Sequence, residues 1–143
     1  MNSSIALKTS SVLWIIWGIV HVLFGIMIIF GDAGSGIKAI GNGVEVAQDN
    51  YPEVLGAIMN QHGWNLVWFG VVTTIGAVYI WKNSVTAIWI SAMVGGLADL
   101  GYFIFLDLGG YVLFFPGTLM TIIALAAIIL SVGSYMKNKS IYE

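Results

Sequence analysis

Residues 11–30 read Ser-Val-Leu-Trp-Ile-Ile-Trp-Gly-Ile-Val-His-Val-Leu-Phe-Gly-Ile-Met-Ile-Ile-Phe, twenty positions without a single Lys, Arg, Asp or Glu. A run of this length, wound as an α-helix, reaches across about 30 Å of hydrocarbon. Three more such runs follow, at about 64–81, 85–106 and 111–135. They are continuous rather than alternating, which favours helices over the short strands of a membrane barrel. The expected fold is therefore all-α and integral to a membrane: an antiparallel up-down four-helix transmembrane bundle forming one domain over 1–143. The first run is longer than the apolar part of a signal peptide, and Gly31-Asp32-Ala33 is a poor cleavage site, so it reads as a retained span.

Composition points the same way. The 143 residues are 59% hydrophobic and 8% charged, with a net charge of −2 and a mean hydropathy of +0.93. Soluble domains carry about a quarter charged residues, and this chain has too few to face water on all sides. Nothing basic suggests nucleic acid as a partner. The absence of cysteine excludes disulfides, thiolate metal sites and thiol nucleophiles.

Orientation is read from the lysines. Lys8, Lys82, Lys137 and Lys139 fall at one end of the spans and Lys38 at the other. The positive-inside rule then places both termini and the 82–84 turn in the cytoplasm. Trp14, Trp64, Trp81 and Tyr135 lie near span ends, where amphipathic rings anchor at the interface.

The connections are short except for one. Lys82-Asn83-Ser84 and Asp107-Leu108-Gly109-Gly110 force antiparallel neighbours, with Asn83 and Ser84 as cap residues and the glycines making the outer turn. The 31–63 segment is the outer loop. Its glycine-rich first part, 31–43, reads as flexible. Asn50-Tyr51-Pro52-Glu53 reads as a helix start with Asn50 as N-cap, opening a short surface helix or a lid whose apolar face is Val54, Leu55, Ile58 and Met59.

Lipid does not mark the interior of a bundle, so small and polar residues must. At about 100° per residue, Ser11, Trp14, Gly18, His21 and Gly25 share one face of the first span. His62, Asn65, Phe69, Gly76 and Asn83 share a face of the second. Ala92, Gly95, Gly96, Asp99, Tyr102 and Phe103 do so in the third, and Gly117, Thr121, Ala124, Ser131 and Tyr135 in the fourth. Small-xxx-small pairs such as Ala92/Gly96 and Ala127/Ser131 read as packing contacts. Pro116 is expected to kink or start the last helix.

Two ionisable residues sit deep within these faces. His21 is about 14 Å and Asp99 about 12 Å below the outer ends of their spans on helical rise. A carboxylate at that depth costs several kcal/mol unless paired, protonated or wet, so a His21–Asp99 contact, direct or through one water, is expected. Such a pair can transfer a proton; it can equally fix helix register. Asn65, Trp68, Tyr102 and Thr121 are candidate ligand-binding neighbours, with His62 and Asp107 at the outer boundary. The two histidines differ in depth by more than about 10 Å on this reading, which argues against a metal or haem site, and no cofactor is expected.

The order Gly18-x-x-His21-x-x-x-Gly25, then Asn65-Leu66-Val67-Trp68-Phe69-Gly70, Gly76 through Trp81, Gly95-Gly96, and Gly109-Gly110-Tyr111 through Phe115-Pro116-Gly117 resembles small bacterial four-span membrane proteins of a family of unknown function. The resemblance implies a bundle in the bacterial inner (plasma) membrane with the first-span histidine as a family feature. It implies no activity.

Three functions compete: binding of a small amphipathic or lipidic ligand in an outward-facing pocket, with acid–base chemistry as a sub-case; a structural or accessory subunit of a larger membrane complex or homo-oligomer; and a proton-coupled carrier. A pocket predicts a void lined by inward polar residues. A scaffold predicts that seam closed by side chains, and a carrier predicts polar residues continuing to the cytoplasmic end.

Overall fold

The computed structural model describes residues 4–41, 51–112 and 114–137. It is all-helical, with four helices long and apolar enough to cross a membrane. These are α1 (Ile5–Phe30), α3 (Glu53–Trp81), α4 (Val85–Tyr102, continued as a π-helical turn over Phe103–Asp107) and α5 (Leu119–Lys137, preceded by a kinked turn over Phe114–Thr118). A short helix, α2 (Ala33–Ile40), follows α1.

Local chemistry explains most of the boundaries. Ser4 caps α1 by accepting from the Leu7 N–H at 3.3 Å, and Ser84 caps α4 by accepting from Ala87 N–H at 3.3 Å. Between α3 and α4 the chain reverses through Asn83 at φ 64°, a left-handed conformation that asparagine tolerates. The outer reversal uses Gly110 at φ 71°, with Gly110 N–H donating to Asp107 C=O and Tyr111 N–H to Leu106 C=O, each at 3.0 Å. At Phe115 the backbone is extended (φ −111°, ψ 129°), so α5 starts beyond it; the Phe115–Pro116 peptide is cis.

Three expectations need correction. The glycine-rich segment after α1 is not wholly loop: Asp32 accepts from the Ser35 N–H at 2.6 Å and nucleates α2, whose Gly36 lies against Met59 and Ile28. Among the described residues, the helix that starts at Glu53 is not a separate surface helix: α3 runs unbroken from Glu53 for 29 residues. Pro52 occupies its N-cap; Asn50, expected there, lies outside the described residues, as do Lys139 and the far end of the glycine-rich stretch. Gly63, where the expected break fell, is buried against α1 instead.

That contact governs the packing. A methyl group on Gly25 would lie 2.5 Å from Gly63 O, and one on Gly63 2.8 Å from Gly25 O. One level along, a methyl group on Gly18 would lie 2.6 Å from Gly70 O, and Gly70 faces the Gly18 carbonyl in return. On both helices the glycines are two turns apart, and numbers rise on α1 as they fall on α3. The backbones touch directly, at a separation that permits Cα–H···O contacts. The buried face of α3 is therefore Gly63, Gly70, Thr73, Gly76, Ala77 and Ile80, rotated from the expected Asn65/Asn83 face.

The dry core lies at the end where Lys8 stands 5.5 Å over the Trp81 ring. It is built from Leu7, Trp14, Ala77, Ile80, Ile88, Ala124 and Ala127. Gly95 leaves room for Trp14, whose ring carbon would sit 2.7 Å from an added methyl. Hydroxyls join the helices here: Ser10 donates to Ala127 C=O at 2.7 Å, and the Ser4 and Ser134 hydroxyls are 2.8 Å apart. Large apolar residues such as Leu23, Leu97, Leu100 and Ile129 are more than half exposed. An outward apolar surface of this extent is compatible with a membrane setting.

Gly25→Ala is expected to lower unfolding stability by about 1–3 kcal/mol through overpacking. Gly133→Ala, whose methyl meets nothing within 4 Å, should leave stability equal or raise it by up to about 1 kcal/mol; denaturant titration in micelles compares the two. The Ser35 N–H holds the exposed Asp32 carboxyl below its ordinary 3.8. A depressed folded pKa stabilises above the unfolded value and is lost as pH falls through the folded one. Amide exchange over 33–40 should therefore accelerate below pH ~3.8 and be insensitive to pH above it, once intrinsic exchange is corrected.

Candidate functional site

Beyond the dry core, toward the α2 end, the helices enclose a cavity of about 400 Å³. Its walls are mainly apolar, including Phe24 from α1, Leu66 and Phe69 from α3, Phe105 from the π-helical turn, and Met120 from α5; Ala39 and Ile40 of α2 also line it. Four titratable side chains reach it: His21, His62, Asp99 and Tyr102.

His21 and Asp99 meet through a residue that the sequence reading did not select. Trp17, one turn before His21, is fully buried, and its indole Nε1–H donates to Asp99 Oδ2 at 2.7 Å. The imidazole of His21 stacks on the Trp17 ring, with centroids 3.6 Å apart and planes inclined by 21°. His21 Nδ1 lies 2.8 Å from the Trp17 carbonyl oxygen. One indole thus anchors the carboxylate and braces the imidazole. The signal available in the sequence was that a buried tryptophan N–H needs an acceptor, and that Trp17 is four residues from His21 on the same side of the helix.

The remaining contact sets the chemistry. His21 Nε2 stands 4.0 Å from Asp99 Oδ1, outside direct hydrogen-bond range. A carbonyl oxygen can only accept, so Nδ1 carries a hydrogen. Nε2 then either presents a lone pair or carries the second proton of an imidazolium. A lone pair facing an ionised carboxylate is repulsive, and an imidazolium facing a neutral acid wastes the pairing. The arrangement is most favourable with one proton shared across the gap, as carboxylic acid with neutral imidazole or as carboxylate with imidazolium. Both states have zero net charge, which suits a low-dielectric surrounding.

The other expected site residues divide. Tyr102 lines the cavity, with its phenol packed against Gly117. His62 lines it too, and closer to His21 than expected: the glycine contacts set His21 level with Val67, so the histidines differ by five residues, or ~7.5 Å of rise, rather than more than 10 Å. The larger figure followed from starting the second span at Trp64. Asn65 and Trp68 do not reach the cavity; the Trp68 indole donates to Asn65 Oδ1 at 3.2 Å on an exposed face. Thr121 lies outside it, its buried hydroxyl without a partner among the described residues. Asp107 accepts from the Thr118 hydroxyl and ties the π-helical turn to the start of the last helix. Among the described residues, no group of three or more His, Cys, Asp or Glu is placed to hold a metal ion.

Comparison with family models, with curated proteins and with solved structures finds no match. The resemblance in the glycine- and tryptophan-bearing spans therefore lends the site no activity, and the site must be read from its own geometry.

Trp17→Phe keeps a ring under His21 but strips Asp99 Oδ2 of its donor. It is expected to cost about 1–3 kcal/mol. In combination with Asp99→Asn the loss should be less than additive by about 1 kcal/mol or more in a double-mutant cycle. Nitrogen-15 spectra of His21 should show Nδ1 protonated; an Nε2–H neutral tautomer would contradict the proton assignment.

Proposed function

We propose that this is an integral membrane protein that binds a small amphipathic ligand between its helices, with the His21–Asp99 pair exchanging a proton with the ligand's polar head. In this reading the four long helices cross the bilayer in up-down order. The end bearing Lys8, Lys82 and Lys137 faces the cytoplasm, and the cavity opens on the opposite side, beneath α2. The resemblance to bacterial four-span proteins makes the inner membrane the natural location.

The observation that carries the proposal is a cavity of about 400 Å³ into which an imidazole and a carboxyl project together. Apolar walls with a few convergent polar groups are the usual form of a small-molecule site. The pair is also pre-positioned: Trp17 holds both members from the side opposite the gap. Proton transfer through positioned side chains needs that kind of restraint.

The competing readings receive less support. A scaffold whose polar seam serves only packing has no use for an open cavity at that seam. A carrier needs an open path to the lysine-bearing end, where Leu7, Trp14, Ile80 and Ile88 are fully buried and the buried hydroxyls of Ser10, Ser11 and Ser131 are taken up by backbone carbonyls.

Gly101 offers a clean test, since it lines the cavity and an added methyl would meet nothing within 4 Å. Gly101→Leu should fill the void without lowering the melting temperature. Native mass spectrometry of the purified protein should show a bound small molecule in the wild type that is missing from Gly101→Leu. Asp99→Asn should reduce occupancy more than it reduces thermal stability. Identical bound mass in wild type and Gly101→Leu, or equal loss of occupancy and stability in Asp99→Asn, would count against the proposal.

A further inference from the structure

We propose that the cavity selects an uncharged hydrophobe whose head is a hydroxyl, an alcohol or a phenol, seated between His21 and Asp99. This rests on the ligand-binding reading above and names the chemical class it serves.

The gap itself makes the argument. With His21 Nε2 and Asp99 Oδ1 4.0 Å apart, one oxygen at an ordinary hydrogen-bond distance from each subtends about 90°, close to the angle between a hydroxyl's donor and acceptor directions. The single shared proton then makes a hydroxyl the matching group in either state. When Asp99 is the acid, its O–H donates to the ligand oxygen and the ligand O–H donates to Nε2. When His21 is the imidazolium, Nε2–H donates to the ligand oxygen and the ligand O–H donates to Oδ1. Every lone pair and hydrogen along the line is satisfied both times. The two states interconvert by moving one proton into the ligand oxygen and one out, with no net change.

Other heads fail on the same geometry. An ether or a lone carbonyl only accepts, so it satisfies one side and leaves the other facing a lone pair. Leaving a buried acceptor unpaired costs about 1–3 kcal/mol. A carboxylate or phosphate brings a negative charge against Asp99, and among the described residues no Lys or Arg lines the cavity to balance it. A cationic head would bring a full charge out of water and require Asp99 to be ionised, a desolvation cost that a neutral hydroxyl does not carry. Phe24, Phe69 and Phe105 supply apolar wall for the remainder of the molecule.

The test uses the full chain in lipid nanodiscs, titrated calorimetrically with 4-hexylphenol, 4-hexylanisole and 4-hexylbenzoate, with empty nanodiscs subtracted. The phenol is expected to bind saturably and at least about tenfold more tightly than either analogue, as sites built around a hydroxyl discriminate strongly against analogues lacking it. It should also shift the His21 Nε2 resonance, and Gly101→Leu should abolish the saturable heat. Equal binding of phenol and anisole would overturn the hydroxyl assignment while leaving the cavity a ligand site. Tightest binding of the benzoate would overturn it in favour of an anion site. If none of the three binds saturably, the head-group class and the ligand-binding reading fall together.

Discussion

The close approach of α1 and α3 is the constraint on which the rest of the molecule depends. Gly18 lies against the Gly70 carbonyl and the Thr74 hydroxyl, and Gly25 against the Gly63 carbonyl and Val67. Between two apolar helix faces, small residues allow the close van der Waals contact that holds the pair together. Two such contacts, two turns apart, determine both the rotation and the register of the pair. The register places Phe69 near the level of His21 and His62 about 7.5 Å from it on helical rise, and the rotation sends Asn65 and Trp68 outward. With α1 and α3 this close, the remaining volume opens on their other side, toward α4 and α5, where the cavity forms.

Within that frame, the buried carboxyl of Asp99 is the most demanding group. Asp99 has one oxygen fully engaged by the Trp17 indole and the other turned to the imidazole. The indole N–H provides a strong donor without introducing a charge, and its ring offers a face on which the imidazole stacks. The result is an ionisable pair with no net charge, held by a residue that is itself locked in the core through edge contact with Trp14 at 5.7 Å. The dry packing at the lysine-bearing end and the open space at the other are thus mechanically linked: Trp14 and Trp17 belong to the first and position the second.

The two polar clusters at the cavity end do different work. Asp107 and Thr118 join the π-helical turn to the kinked start of the last helix, holding Pro116 and Gly117 at the wall. Asp32 nucleates α2, which brings Ala39 and Ile40 over the cavity. Both are local hydrogen-bonded devices that shape the enclosure rather than supply its chemistry.

That four long apolar helices form, with His21 and Asp99 on faces turned toward one another, was legible in the sequence, although the second helix starts at Glu53, eleven residues before its expected limit. Both follow from local quantities: the length of an apolar run, the rise per residue, and the cost of a charge in hydrocarbon. On the α4 face, Gly95 and Asp99 are buried as expected, because small and ionisable residues coincide there, whereas Phe103, expected on the same face, is exposed. For α3 the same method misjudged the rotation. Asn65 and Asn83 looked like interior markers, yet Gly63 and Gly70 form the contact. A glycine has no side chain to advertise its partner, and an exposed asparagine can be satisfied by a neighbouring indole. Trp17 escaped notice because an aromatic residue in an apolar span is indistinguishable from its neighbours until an acceptor is found for its N–H, and that acceptor is 82 residues away. Hydropathy therefore located the four long apolar helices, but not α2 or the 53–63 part of α3. The partner each side chain meets was decided only by tertiary contact, because in lipid the apolar periodicity that would orient a helix in water is absent.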